Sequence, residues 1–236
     1  QKLNTTETTA NTNMIKTNGT ISITTETGSI KRICTTKIKL CGLTRPCDIH
    51  GVNLLRPDYV GFVFAPKSRR YVSPERAAEL KKLLCPEILS AGVFVNESQD
   101  TILRLLEQGI IDVVQLHGSE TDEYVRQLKA RTPKPVIQAF SINEAKDAEA
   151  ARHSAADCIL LDSGAGGTGT VFDWQLLKTI ARPYFLAGGL TADNVGNAVR
   201  QLHPYAVDTS SGIETEGVKD PKKMAAFVFA VRTALQ

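Results

Sequence analysis

Short apolar runs rich in β-branched residues alternate with amphipathic stretches roughly one helix long, recurring about every 25 residues from Lys37 onward. That rhythm predicts an α/β fold of parallel strands joined by helices. Eight such runs predict closure into a (β/α)8 TIM barrel. The main rival, a doubly wound open sheet, usually has fewer strands and a glycine-rich turn after its first, where this chain has Gly42 alone.

Strands are expected at Lys37–Cys41, Tyr59–Phe64, Leu89–Phe94, Val113–Leu116, Val136–Phe140, Cys158–Leu161, Tyr184–Ala187 and Ala206–Asp208. The helices between them open on caps. Ser73 precedes Pro74 at the first helical position, and Asn96, Thr121, Ser141 and Thr191 carry side chains that accept from exposed backbone N–H groups. The last helix runs from Asp220 to about Leu235 and would close the ring.

Residues 1–36 read as an extension, with residues 37–236 as the barrel. The extension is rich in Thr and Asn and poor in large apolar side chains before Ile21. Within it, Thr20–Thr24 and Ser29–Ile33 alternate around Glu26-Thr-Gly28, the pattern of a hairpin.

Composition excludes several classes. A hydrophobic fraction of 42% beside 22% charged residues supports a buried core and not a disordered chain. The net charge of +3 comes from 28 basic and 25 acidic residues without lopsided clusters, so neither nucleic acid nor a polybasic membrane contact is expected. There is no apolar run of about 18 residues to cross a bilayer. Five cysteines, an odd number with no C-x-x-C pair, argue against zinc, a redox centre or a disulfide framework, and point to a reducing, cytoplasmic compartment.

In a barrel of this kind, chemistry sits on the loops after the C-terminal ends of the strands. Those ends are polar and glycine-rich: Cys41-Gly-Leu-Thr-Arg45, Lys67-Ser-Arg-Arg70, His117-Gly118, Asp162-Ser163, Gly188-Gly189 and Asp208-Thr-Ser-Ser-Gly212. Gly188 and Gly189 with Ser210, Ser211 and Gly212 follow strands seven and eight, where glycines let backbone amides approach an anion and a helix N-terminus adds positive potential. A phosphate cradle is expected there.

The ordered blocks Lys39-Leu-Cys-Gly-Leu-Thr44, Gly61-Phe-Val-Phe64, Lys67-Ser-Arg-Arg-Tyr71, Gly92-Val-Phe-Val-Asn96, Val114-Gln-Leu-His-Gly118, Leu160-Leu-Asp-Ser163, Gly166-Gly-Thr-Gly169, Phe172-Asp-Trp174, Ala187-Gly-Gly-Leu190 and Val207-Asp-Thr-Ser-Ser-Gly-Ile-Glu214 resemble phosphoribosylanthranilate isomerases. The similarity runs from Lys37 nearly to the end. It implies an Amadori rearrangement of an aminoaldose phosphate, needing one acid and one base and no metal or organic cofactor. The implied partner is a small phosphoribosyl substrate, with the chain itself a monomer or homodimer.

By the same resemblance Asp162 is the expected acid and Cys41 the expected base. They end strands six and one, well apart around a ring, so both can reach one bound sugar. Arg70 is the expected partner of the anthranilate carboxylate, because a guanidinium pairs bidentately with a planar carboxylate. His117 is expected near the substrate, and Asp208 to orient sugar hydroxyls or the loop that follows it. Gly166-Gly-Thr-Gly169 is expected to form a mobile loop.

The chain departs from the family pattern in its extension, in Cys47, where an acidic residue is common, and in Thr170-Val171 ahead of Phe172. None of these touches the acid or the base. Two readings compete with this one: a histidine-pathway phosphoribosyl isomerase, which uses Asp where this chain has Cys41, and a silent barrel that binds sugar phosphate as a sensor.

Overall fold

The structure, a computed structural model, describes residues 13–17, 20–24, 30–34, 36–162, 177 and 180–234. The chain divides into two units, Gln1–Thr35 and Thr36–Gln236. In the first, β1 (Asn13–Thr17), β2 (Thr20–Thr24) and β3 (Ile30–Cys34) form an antiparallel sheet in that order. Strands β2 and β3 are the expected hairpin pair, with Thr24 opposite Ile30; residues 25–29 of its turn lie outside the described residues. The sequence did not suggest β1, since Asn13-Met-Ile-Lys-Thr17 sets its two apolar residues side by side and so shows no period of two.

The second unit alternates strand and helix: β4 (Lys37–Cys41), α1 (Pro46–Leu55), β5 (Tyr59–Val63), α2 (Pro74–Leu83), β6 (Leu89–Phe94), α3 (Gln99–Glu107), β7 (Val113–Leu116), α4 (Asp122–Arg131), β8 (Val136–Ser141), α5 (Ala145–His153) and β9 (Cys158–Asp162). There follow β10 (Tyr184–Ala187), α6 (Ala192–Leu202), β11 (Ala206–Thr209), the short antiparallel pair β12 (Glu214–Thr215) and β13 (Val218–Lys219), and α7 (Pro221–Thr233). Strands β4 to β11 form a closed barrel, with β11 hydrogen-bonded back to β4 in parallel. Residues 163–176, which include Ser163, the Gly166-Gly-Thr-Gly169 loop and Phe172-Asp-Trp174, lie outside the described residues.

Burial on both faces explains why these strands read as continuous apolar runs, as in β5, whose five residues are all buried. Alternation then sorts the side chains. Ile38, Leu40, Val60, Phe62, Val114 and Leu116 pack outward in the main core that the helices cover. Tyr59, Ala91, Val113, Ile137, Leu160 and Phe185 fill the lower interior, so the ring is packed and is no pore. Above them Cys41, Val63 and Val93 form a separate small cluster where the polar groups begin.

Ser73 caps α2 by accepting from the amide of Arg76, and Thr121 caps α4 by accepting from that of Tyr124. Two other expected caps are displaced. Asn96 sits in the left-handed region at φ 52 and its Oδ1 takes the Ser119 amide at 2.8 Å, so Ser98 caps α3 instead. Ser141 is held in the ladder opposite Asp162, and Asp147 collects the amides of Asn143 and Glu144 ahead of α5. In both places a neighbouring loop or strand outcompetes the local cap.

Candidate active site

The C-terminal ends of the barrel strands surround a cavity of about 450 Å³. Cys41, Arg70, His117, Asp162, Gly188, Gly189, Asp208, Ser210 and Ser211 line it, while Gly212 does not. A Cβ at Gly212 would run into the carbonyl oxygen of Leu190, which also accepts from Thr209 Oγ1 at 2.8 Å. Gly212 therefore lets the two loops touch. A backbone-to-backbone approach of that kind joins residues too far apart in sequence to be read from the local motif.

Cys41 is the last residue of β4 and is buried. Gly61 stands opposite it in the ladder, and a Cβ there would lie 2.5 Å from Sγ, so the glycine makes room for the sulfur. Gly42 then turns the chain at φ +78, and a side chain at that position would collide with Cδ of Arg70. Beneath the thiol, fully buried Lys39 donates from Nζ to Asp208 Oδ1 at 3.0 Å across the closing seam between β4 and β11. Burial pushes the Cys41 thiol up from its ordinary value; Lys39 and Lys219 pull it down and Asp208 adds to the rise. Burial opposes the charge on Lys39, but Asp208 and Cys41 more than offset it and raise its pKa.

Arg70 is held from one edge. Its Nε and Nη2 donate to Glu214 Oε1 and Oε2 at 2.6 and 2.9 Å. Arg69 Nη2 donates to Glu214 Oε2 at 2.7 Å but is largely exposed and outside the cavity, while Lys219 Nζ donates to Oε1 at 2.6 Å. Burial disfavours the charge on Glu214, yet the hydrogen bonds from Arg70 and Lys219 prevail and hold its carboxyl at about 2. Lys219 also donates to the backbone oxygen of Ser210 at 2.9 Å, tying the β12–β13 pair to the loop after β11. Glu214 and Lys219 were not picked out as site residues, because their partners arrive from other strands.

Asp162 ends β9, three strands from β4 through β10 and β11, and its Oδ2 lies 3.8 Å from His117 Nε2. His117 Nδ1 is in turn 3.2 Å from Gln115 Nε2. Gly188 and Gly189 adopt φ 91 and 62, a conformation open to glycine and costly for other residues, and turn the chain into α6. Across from them Ser210 donates from Oγ to the carbonyl of Cys41 at 3.1 Å, and Ser211 opens a short 3-10 turn through Ile213. One guanidinium, one thiol, two carboxyls and two tight turns thus line one space.

Residues 38–230 match the family model for N-(5'-phosphoribosyl)anthranilate (PRA) isomerase. An N-(5'-phosphoribosyl)anthranilate isomerase from Endomicrobium trichonymphae is 46% identical over 201 residues, covering 84% of this chain and 98% of the relative. The crystal structure of phosphoribosyl anthranilate isomerase from Thermotoga maritima superposes with a TM-score of 0.77 at 37% identity, covering 84% of this chain and 98% of that one. A phosphoribosyl anthranilate isomerase in complex with reduced 1-(o-carboxyphenylamino)-1-deoxyribulose 5-phosphate superposes with a TM-score of 0.75 at 36% identity and the same coverage. With the family pattern running from the first barrel strand into the last helix, and relatives matched over nearly their whole length, this chain belongs to the N-(5'-phosphoribosyl)anthranilate isomerase family.

Proposed function

We propose that this chain converts N-(5'-phosphoribosyl)anthranilate to 1-(2-carboxyphenylamino)-1-deoxyribulose 5-phosphate, an acid/base Amadori rearrangement of tryptophan biosynthesis, in the cytoplasm. The observation that carries the reading is a single cavity lined by Cys41 and Asp162 together with Arg70 and the Gly188-Gly189 and Ser210-Ser211 turns.

The roles follow from the chemistry. Backbone amides of the two turns hold the phosphate, aided by the positive end of α6. Glu214 occupies the Nε edge of Arg70, leaving Nη1 and the second Nη2 hydrogen for the anthranilate carboxylate. Asp162 protonates the furanose ring oxygen, and the ring opens to a cationic iminium. Cys41 then takes the proton from C2 as a thiolate, giving an enolamine that tautomerises to the ketone. The iminium adds its positive charge to those of Lys39 and Lys219, and together they work against the burial that disfavours the thiolate.

Positioned acid/base groups contribute roughly 10²–10⁴-fold to such proton transfers. Cys41→Ser and Asp162→Asn are each expected to lower turnover of the fluorescent substrate by about 100-fold or more while the chain stays folded. Turnover unchanged in both variants would remove the assignment.

A further inference from the structure

β7 alternates about the sheet. Val114 and Leu116 pack outward, while Val113 points into the lower interior and Gln115 and His117 line the cavity above it. Gln115 is 1% exposed, and its Oε1 is the one buried side-chain N or O atom among the described residues that lacks a hydrogen-bond partner. An unsatisfied buried acceptor is costly, and a Leu or Met of similar volume would fill the place beside Val63 and Val93 without that cost. Its amide nitrogen, by contrast, is engaged: Nε2 lies 3.2 Å from His117 Nδ1. An amide NH₂ only donates, so with Gln115 Nε2 on this side Nδ1 accepts, an arrangement that puts the ring proton on Nε2, the nitrogen 3.8 Å from Asp162 Oδ2.

We propose that Gln115 is a positioning residue: its amide nitrogen fixes His117 in the Nε2–H tautomer facing Asp162. The kinetic consequence rests on the phosphoribosyl reading above; the tautomer does not.

The test uses the full chain with ¹⁵N-labelled histidine, whose ring nitrogens report the tautomer directly. The four histidines are few enough to assign by substitution. Wild type is expected to show His117 protonated on Nε2. Gln115→Met, close in volume and without hydrogen-bonding groups, is expected to abolish that fixed tautomer and lower kcat/KM by about 10- to 100-fold, with a thermal midpoint no lower than wild type. Gln115→Glu, which offers no N–H, is expected to move the proton onto Nδ1. A purely structural Gln115 would instead lower the midpoint in both variants without moving the tautomer. A wild-type ring protonated on Nδ1, a tautomer unmoved by the substitutions, or wild-type kcat/KM in Gln115→Met would each overturn the proposal. The NMR signal needs no turnover, so failure of the proposed function and failure of this assignment are visible separately.

Discussion

Cys41 owes its room to a missing methyl group. Gly61 faces it across the β4–β5 ladder, and an added Cβ would stand 2.5 Å from the sulfur. The thiol ends a short side chain and can swing to another rotamer, while Cα and Cβ of Cys41, each 3.1 Å from the added group, need the two strands to give by a few tenths of an ångström. Gly61→Ala should therefore damage chemistry more than stability. Turnover is expected to fall about 10-fold or more through misplacement of the proposed base, with about 1–3 kcal/mol of overpacking at most. Steady-state kinetics beside a thermal melt checks this, and an unfolded variant or one with wild-type kcat would count against it. In sequence, Gly61 belonged to a conspicuous block, but its reason could not be read there. The atom it avoids lies on a neighbouring strand.

Among the elements, the small β12–β13 pair does more than its length suggests. It delivers Glu214 to Arg70 and Arg69, and Lys219 to both Glu214 and Ser210, so one carboxylate sets the orientation of the guanidinium at the cavity wall. Glu214 titrates near 2 in the folded chain against an ordinary value of 4.5. A carboxyl with a depressed folded pKa contributes its stability in full above its unfolded value and loses it as pH falls toward the folded one. The gap in thermal midpoint between wild type and Glu214→Gln is thus expected to be constant above about pH 5, to narrow from about 4.5 downward, and to vanish near 2. Melts across that range read it, and a gap that widened toward acid would reverse the sign. The strand and helix order around this pair was plain in the sequence; a two-residue strand carries no period to detect.

For the whole molecule, closure of the ring is what assembles the site. β11 pairs with β4, and the buried Lys39–Asp208 ion pair crosses that seam at 3.0 Å. Asp208→Asn would leave the Lys39 ammonium buried beside the thiol without its counter-ion. A loss of about 3–5 kcal/mol in denaturant-derived stability is expected, typical of breaking a buried pair from one side. A near-neutral change would mean that the pair is not buried in solution. The barrel core draws its residues from Ile38 to Ala234, and the family match begins at Ile38. We therefore propose residues 37–236 as the catalytic domain, and a chain starting at Thr36 is expected to keep the thermal midpoint and kcat/KM of the full one. Loss of either would give the first unit a part in the barrel's function.

The amino-acid order by itself determined the eight strands, most helix starts, the ring, and the loops on which thiol, carboxyl and glycine turns stand. Those properties are set by local periodicity, capping and turn chemistry, and by a family pattern spread along the barrel. Only the tertiary structure decided which side chains meet inside the ring. Arg70 and Glu214 are 144 residues apart in sequence and Lys39 and Asp208 are 169, yet each pair is in hydrogen-bonding contact. Gln115 reads in sequence as one more residue of a strand, and its unmet oxygen appears only when neighbouring strands enclose it. Partner choice in a closed barrel depends on strand neighbours and stagger, which no stretch of sequence encodes by its own period.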